Sequence, residues 1–362
     1  MNWIKSGSII FVITLSLWIA IDFTFTKIIG VTGFSQFFIH HEKVGRLNKP
    51  GFKGVFGGPL EDFLSNVSIG VHSERNSSVA KCDLIKQRII YIGDSTTAGF
   101  EVNDAETFVS IINQSCTSHF SSGLNFGVRA HDTHMVSALY KMIKKTVPHQ
   151  TVFYLISGND FQENLDLFAY PSLTAKFGRF FEGRLIHPIS EGWMDILYLS
   201  ARVFIGNNFY LTTRLLVNLE RFSQHLNTQH KASNDSATKN LKLSRLHKMK
   251  ELLNNLALEA VNENAELYVA IYPSLHEDWE TSDERIYEEN LTKWYGNFSN
   301  IKMLELGRFI EEKDRLGCLK KSDMKFTNDG HLSKFGHKVI SDFLRVELLN
   351  DQSLSLASIC YK

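Results

Sequence analysis

Short apolar runs, each closed by a turn residue, alternate along the chain with longer amphipathic stretches. Arg88–Ile92 (RIIYI) stops at Gly93, Thr151–Ser157 (TVFYLIS) at Gly158 and Glu266–Tyr272 (ELYVAIY) at Pro273. Ile301–Leu306 is a further run, and Leu124–Phe126 a weaker one. Brief apolar runs bounded by Gly or Pro read as buried strands. Between them, Met135, Val136, Leu139, Met142 and Ile143 form a stripe at helical spacing, with Asp132 or Thr133 placed to cap it. Leu246, Met249, Leu253, Leu256 and Ala260 form a second stripe. Phe335, Val339, Ile340, Phe343 and Leu344 form a third, after Ser333. Strands alternating with helices predict a parallel sheet with helices on both faces.

Two regions depart from this rhythm. The long connection between the Thr151 strand and the Leu246 helix exceeds an ordinary loop, so 161–240 is taken as an insertion. Within it, Trp193–Ile205 and Phe209–Phe222 read as helical, and Ser223–Asn240 as a polar loop. The apolar stretch is either a hairpin packed on the core or a lid that covers a pocket or rests on a membrane. Asp195 and Arg202 argue against a transmembrane span there. The second departure is residues 28–87, mixed and Gly-rich, where Val67–Val71 has the look of an edge strand or hairpin.

The N-terminus carries its own signal. Ser6–Ile21 is uncharged, Asp22 interrupts, and Phe23–Thr26 extends the run to Lys27. Ser6–Thr26 would span roughly 31 Å as a helix, enough to cross a bilayer with Asp22 at headgroup level. A cleaved signal peptide and a buried first helix are the alternatives. Lys5 precedes the span, while Lys27, Lys43, Arg46, Lys49 and Lys53 follow it. The charge rule leans toward a cytoplasmic body, yet large domains translocate largely regardless of charge. The division expected is an anchor at 1–27, a membrane-proximal segment at 28–87, a main domain at 88–350 and a tail at 351–362.

Composition narrows the function. Hydrophobic residues are 43% and charged residues 22%, an ordinary globular balance that excludes a disordered or collagenous chain. Lys+Arg and Asp+Glu are both 39, which argues against a basic grip on nucleic acid. Cys82, Cys116, Cys318 and Cys360 match no zinc spacing, but one or two bridges are compatible with an extracytoplasmic domain. His131 and His134 have metal-like spacing without a strong third ligand. GFKGVFGGP at 51–59 lacks the ending of a phosphate loop.

In an open parallel sheet, ligands bind beyond the carboxyl ends of the strands. Those places hold Gly93-Asp94-Ser95-Thr96, the turn Asn125–Ala130 and Gly158-Asn159-Asp160. Asp329-Gly330-His331 stands before the last helix. Together they offer a hydroxyl, turn amides, a carboxamide and an Asp/His pair, the parts of acyl transfer through a serine. Thr97 occupies the second Gly place of G-x-S-x-G, which argues against an ordinary nucleophile elbow.

These four blocks, GDST at 93–96, the turn at 125–130, GND at 158–160 and DGHLSKFGH at 329–337, resemble those of the SGNH (GDSL-type) hydrolases, in the family's order. The resemblance implies a flavodoxin-like three-layer α/β/α sandwich with a central five-stranded parallel sheet, joined here to an N-terminal transmembrane helix. It implies a Ser95 nucleophile, a His331 base and an Asp329 orienter. It also implies an oxyanion hole from the Ser95 N–H, the Asn159 side chain and one turn amide. That amide is Ala130 by the family's spacing, with Gly127 the competitor. Asp94 and Asp160 read as structural, and His337 as a helix residue. Many members place Asp three before His, where this chain has Asn328. An Asn could not stabilise the imidazolium by charge, so Asp329 is preferred.

The implied activity is hydrolysis of acyl esters, O-acetyl groups on a cell-surface glycan among them, with no cofactor or metal. Glycan O-acyl transfer through the same acyl-enzyme, and a non-catalytic binding module, are the alternatives. Resemblance to membrane-anchored bacterial members places the domain on the extracytoplasmic, periplasmic side. The oligomeric state is left open.

Overall fold

The computed structural model describes residues 2–41, 43–58, 61–75, 87–115, 121–161, 164, 180–181, 184–185, 204–216, 218–219, 235–273, 275, 282–296, 300–327, 329–351 and 353–361. Cys82, Cys116, Trp193, Phe222 and Asn328 lie outside the described residues. So does the polar loop 223–240 up to its last helical residues.

The strands in chain order are β1 Phe38–His41, β2 Gly45–Asn48, β3 Lys53–Gly57, β4 Leu64–Ser68, β5 Gln87–Gly93, β6 Ser121–Asn125, β7 Thr151–Ser157, β8 Phe180–Phe181, β9 Arg184–Leu185, β10 Glu266–Tyr272 and β11 Ile301–Leu304. The helices are α1 Asn2–Ile29, α2 Ser95–Ala98, α3 Phe108–Gln114, α4 Thr133–Ile143, α5 Asp235–Val261, α6 Asp283–Tyr295, α7 Leu306–Arg315 and α8 Lys334–Glu347. Residues 204–208, 210–216 and 218–219 are also helical. Five strands form one parallel sheet in the order β6-β5-β7-β10-β11, the flavodoxin-like winding in which helices cover both faces.

The pleat divides the side chains between two cores. Ile90 and Ile92 face α4, α5 and α6, while Ile89 and Tyr91 face α3, α7 and α8. Both layers are buried, so β5 and β7 read as nearly continuous apolar runs in sequence. Each such side chain contributes on the order of 1.5–3 kcal/mol by leaving water. Ser282 starts α6 by accepting from Arg285 N at 3.2 Å. Glu305 makes no side-chain cap for α7. Glu288 reaches across from α6 instead, accepting from Gly307 N at 2.9 Å and Arg308 N at 3.2 Å.

Burial pushes the Glu288 carboxyl from its ordinary 4.5 up to about 7, the two backbone donors offsetting only part of that cost. A carboxyl raised on folding holds its proton longer in the native state. Its contribution is therefore full below about 4.5 and lost as pH rises through about 7. Glu288→Gln should flatten this decline, changing the difference in unfolding free energy between the two ends of the window by on the order of 3 kcal/mol. Urea midpoints of both proteins at pH 4.5 and pH 8 check it; parallel curves would contradict the assignment.

The segment before the sheet packs directly on it. β1–β2 and β3–β4 form two antiparallel hairpins. Phe37, Val67 and Ile69 share a core with Ala98 and Phe100. Arg75, fully buried, donates to Ala98 O, Gly99 O and Val102 O and pairs with Asp104 at 2.9 Å. The hairpins thus hold the turn that follows Ser95. At the other end of the chain, a Cys318–Cys360 disulfide and Tyr361 Oη donating to Asp342 at 3.0 Å tie the tail down.

α1 stands apart. Ser8–Ile29 is long and apolar enough to cross a membrane, and only 11% of its most apolar window is buried. A buried core helix is thereby set aside, while an anchor and a signal sequence share this signature. Asp22, which interrupts the apolar run, is fully buried and accepts from Leu211 N and Thr212 N.

Candidate active site

β5 delivers the chain to a tight turn. At Gly93 φ is +155°, and a Cβ there would lie 2.2 Å from Thr97 Oγ1 and 2.8 Å from Leu155 O. Glycine is required at that position. Asp94 then caps α2, its carboxylate accepting from Thr96 N at 2.9 Å. Ser95 is the first residue of the helix, where the ladder leaves N–H donors unclaimed.

The last block approaches from before α8. His331 Nε2 lies 3.0 Å from Ser95 Oγ, and His331 Nδ1 bonds to Asp329 Oδ1. Gly330 takes φ +83°, which turns the segment so that both side chains converge. Burial raises the Asp329 carboxyl, but the bond from His331 and the charges of His331 and Arg129 outweigh it. The group rests below its ordinary value and stays ionised at neutral pH. Ser95, Asn159, Asp329 and His331 line one open cleft of about 300 Å³, with Lys325, Glu284, Tyr272 and Leu275 around them.

The turn after β6 is held on several sides. Val128 N donates to Gly93 O at 3.0 Å, Asn48 Nδ2 to Gly127 O at 3.0 Å, and Arg46 Nη1 to Arg129 O at 3.2 Å. Ala130 is held at φ +59°, a conformation that costs a residue with a Cβ about 1–2 kcal/mol. Such strain persists only where the surroundings over-determine it. The N–H of Gly127, the competing oxyanion candidate, donates to Asn125 Oδ1 at 2.9 Å, and Gly127 is packed beneath Ala98 N, which favours Ala130. Neither Gly127 nor Ala130 is among the residues that line the cleft.

Two residues of this site carry no sequence signal. Glu101, its side chain 1% exposed, places Oε1 3.6 Å from His331 Nδ1 and pairs with Arg129. The imidazole thus has two carboxylates behind it. Arg129 offsets one of their charges while stacking on Phe56 from the N-terminal hairpins, its Cζ 5.1 Å from the ring centre. Glu101 Oε1, Asp329 and His331 converge within 4.8 Å, a spacing a cation could bridge. Glu101, however, is already neutralised by Arg129, and His331 Nδ1 is engaged by Asp329.

The remaining candidates are structural in their contacts. Asp160 accepts from Ser157 N at 3.2 Å and Tyr154 Oη at 3.1 Å, fixing the turn that carries Asn159. His337 is buried on α8, where its Nδ1 accepts from Phe108 N at 3.3 Å; burial lowers its pKa to about 3, so it stays neutral. His131 is buried with Nε2 2.8 Å from Arg46 O, while His134 is exposed on α4. Among the described residues neither belongs to a metal-ligating cluster.

No protein-family model matches the chain, and no curated protein matches it in sequence. Several solved structures are similar in shape. A chain described as a lipolytic protein of the G-D-S-L family, from Desulfitobacterium hafniense, is 11% identical, with 71% of this chain and 97% of that one covered at a TM-score of 0.40. Axe2, an acetylxylan esterase from Geobacillus stearothermophilus, is 11% identical over 75% and 97%, with a TM-score of 0.42. An alpha/beta hydrolase enzyme from the metagenome of Lake Arreo is 9% identical over 72% and 94%, with a TM-score of 0.39. Likeness at this level carries no functional argument, so the chemistry rests on the residues of the site.

Proposed function

We propose that this chain is a serine esterase of the SGNH type that cleaves small acyl esters of polar alcohols. The observation that carries the reading is the contact chain from Ser95 Oγ to His331 Nε2 at 3.0 Å and on from His331 Nδ1 to Asp329. In the proposed reaction Ser95 Oγ attacks the ester carbonyl as His331 Nε2 takes its proton. Asp329 stabilises the imidazolium. The oxyanion is met by the N–H of Ser95, by Ala130 on its strained turn and by the Asn159 side chain. His331 then protonates the leaving alkoxide as its C–O bond breaks, leaving an acyl-Ser95 enzyme. Water, deprotonated by His331, attacks that ester; Ser95 leaves with the returned proton and the acid is released. No step calls for a metal or organic cofactor.

A cleft of about 300 Å³ suits a small acyl group such as acetyl, and Lys325 and Glu284 on its wall suit a hydroxyl-rich alcohol such as a glycan. α1 serves as the membrane anchor in this reading. The Cys318–Cys360 bridge favours an oxidising compartment, hence an extracytoplasmic domain. The test is a panel of acyl esters and acetylated glycans, offered with and without sugar acceptors to purified protein and to intact cells. Free acid as product supports an esterase, whereas acyl transfer to the acceptor would make the chain a transferase. Hydrolysis of an impermeant substrate by intact cells supports the outer location, and activity appearing only on lysis would contradict it.

A further inference from the structure

Asp22 interrupts the apolar run of α1, and its carboxylate is fully engaged by another part of the chain. It accepts from Leu211 N at 2.9 Å, Thr212 N at 2.8 Å and Thr212 Oγ1 at 2.6 Å. One turn on, Thr26 Oγ1 accepts from Tyr210 N at 2.8 Å. One turn back, Trp18 Nε1 donates to Thr212 Oγ1 at 3.1 Å. Residues 210–212 open a helix, so these are the N–H groups that a helix start leaves unpaired. A carboxylate in an apolar span is costly unless it is partnered. Here it finds the positive end of a helix.

The same contacts set the direction of that helix. Phe209 and Tyr210 meet Phe23, Phe25 and Thr26, whereas Thr212 meets Asp22 and Trp18. From its start the helix therefore steps back toward the N-terminal half of α1. Helical spacing places Leu215, Leu216 and Leu219, three, four and seven residues on, on the face of Thr212. Tyr210 and Arg214 lie on the opposite face, against Gly58 and in an ion pair with Glu61 at 2.6 Å. The domain covers that side. The leucine side is open, with Leu215, Leu216 and Leu219 at 54%, 39% and 56% exposure, beside the exposed apolar band of α1.

We infer that this second helix lies between the domain and the bilayer and inserts its leucine face into the membrane that α1 enters, with Asp22 as the joint. The inference rests on the anchor reading of α1 and is independent of the chemistry at Ser95. Lipid is the occupant because the leucine face continues a helix exposed all round from Ile9 to Ile13, which a protein groove would cover on one side only. The domain is then held at two points, which fixes its orientation to the bilayer instead of leaving it to swing on α1.

Photo-crosslinking of the full-length protein tests this. A benzoylphenylalanine replaces Ile13, Leu215, Leu219 or, as an exposed control on the main domain, Leu316, in vesicles of phosphatidylethanolamine and phosphatidylglycerol. Lipid adducts are expected by mass spectrometry at 13, 215 and 219, with only background at 316. In Asp22→Ala, adducts at 13 persist while those at 215 and 219 fall to the Leu316 level. Adducts at 13 without any at 215 and 219, or protein dimers cross-linked through 215 and 219, would overturn the inference. No adducts at 13 would overturn the anchor reading and the inference with it.

Discussion

Ser95→Ala is expected to abolish ester turnover and to leave the fold intact. The hydroxyl is half-buried at the cleft, and its described partner is His331. Its removal opens no cavity in either core and leaves the Asp94 cap in place. Loss of the nucleophile from a triad typically costs on the order of 10³-fold or more, the remainder coming from binding and oxyanion stabilisation. Steady-state kinetics on the best ester of the panel, with urea unfolding to confirm stability, measures the effect. Wild-type turnover in this variant would remove the serine mechanism.

The second large effect falls at Asp329. In the proposed reaction its bond to His331 Nδ1 selects the tautomer that presents Nε2 to Ser95, and its charge supports the imidazolium. Asp329→Ala should lower kcat on the order of 10²–10⁴-fold, whereas Asn328→Ala should change it little. Glu101, 3.6 Å from the same nitrogen, limits the loss. Asp329→Ala combined with Glu101→Gln should therefore fall below Asp329→Ala alone. The reverse ranking of positions 328 and 329 would transfer the orienting role to Asn328.

Much of the sheet was legible because its strands are buried on both faces. Thr151–Ser157 and Glu266–Tyr272 coincide with their apolar runs. Ile301–Leu306 was overextended by two residues, since Leu306 starts α7 after a strand ending at Leu304. Phe108–Gln114 is too short to display a period, and α6 buries only a narrow face, Tyr287, Glu288, Leu291 and Tyr295, so neither was anticipated. Ser95, Asn159, Asp329 and His331 were legible because each stands where a strand or helix must turn. Glu101 and Arg129 were not: a buried ion pair joining two loops has no signature in either loop alone. Gly127 and Ala130 differ in features that only the backbone displays, the bond from Gly127 N to Asn125 and the positive φ of Ala130. Asp22 read as a flaw in an anchor because its partners lie about 190 residues away in sequence.

Covalent capture tests the central claim most directly. Purified wild-type protein and Ser95→Ala are mixed with an activated acetyl ester, quenched in acid within the first turnover and analysed by intact mass and peptide mapping. The account predicts one acetyl group on the wild type, carried by the peptide containing Ser95, that disappears on standing and never forms on Ser95→Ala. An acetyl group on another residue of a competent enzyme, or ester turnover with no covalent intermediate, would contradict it.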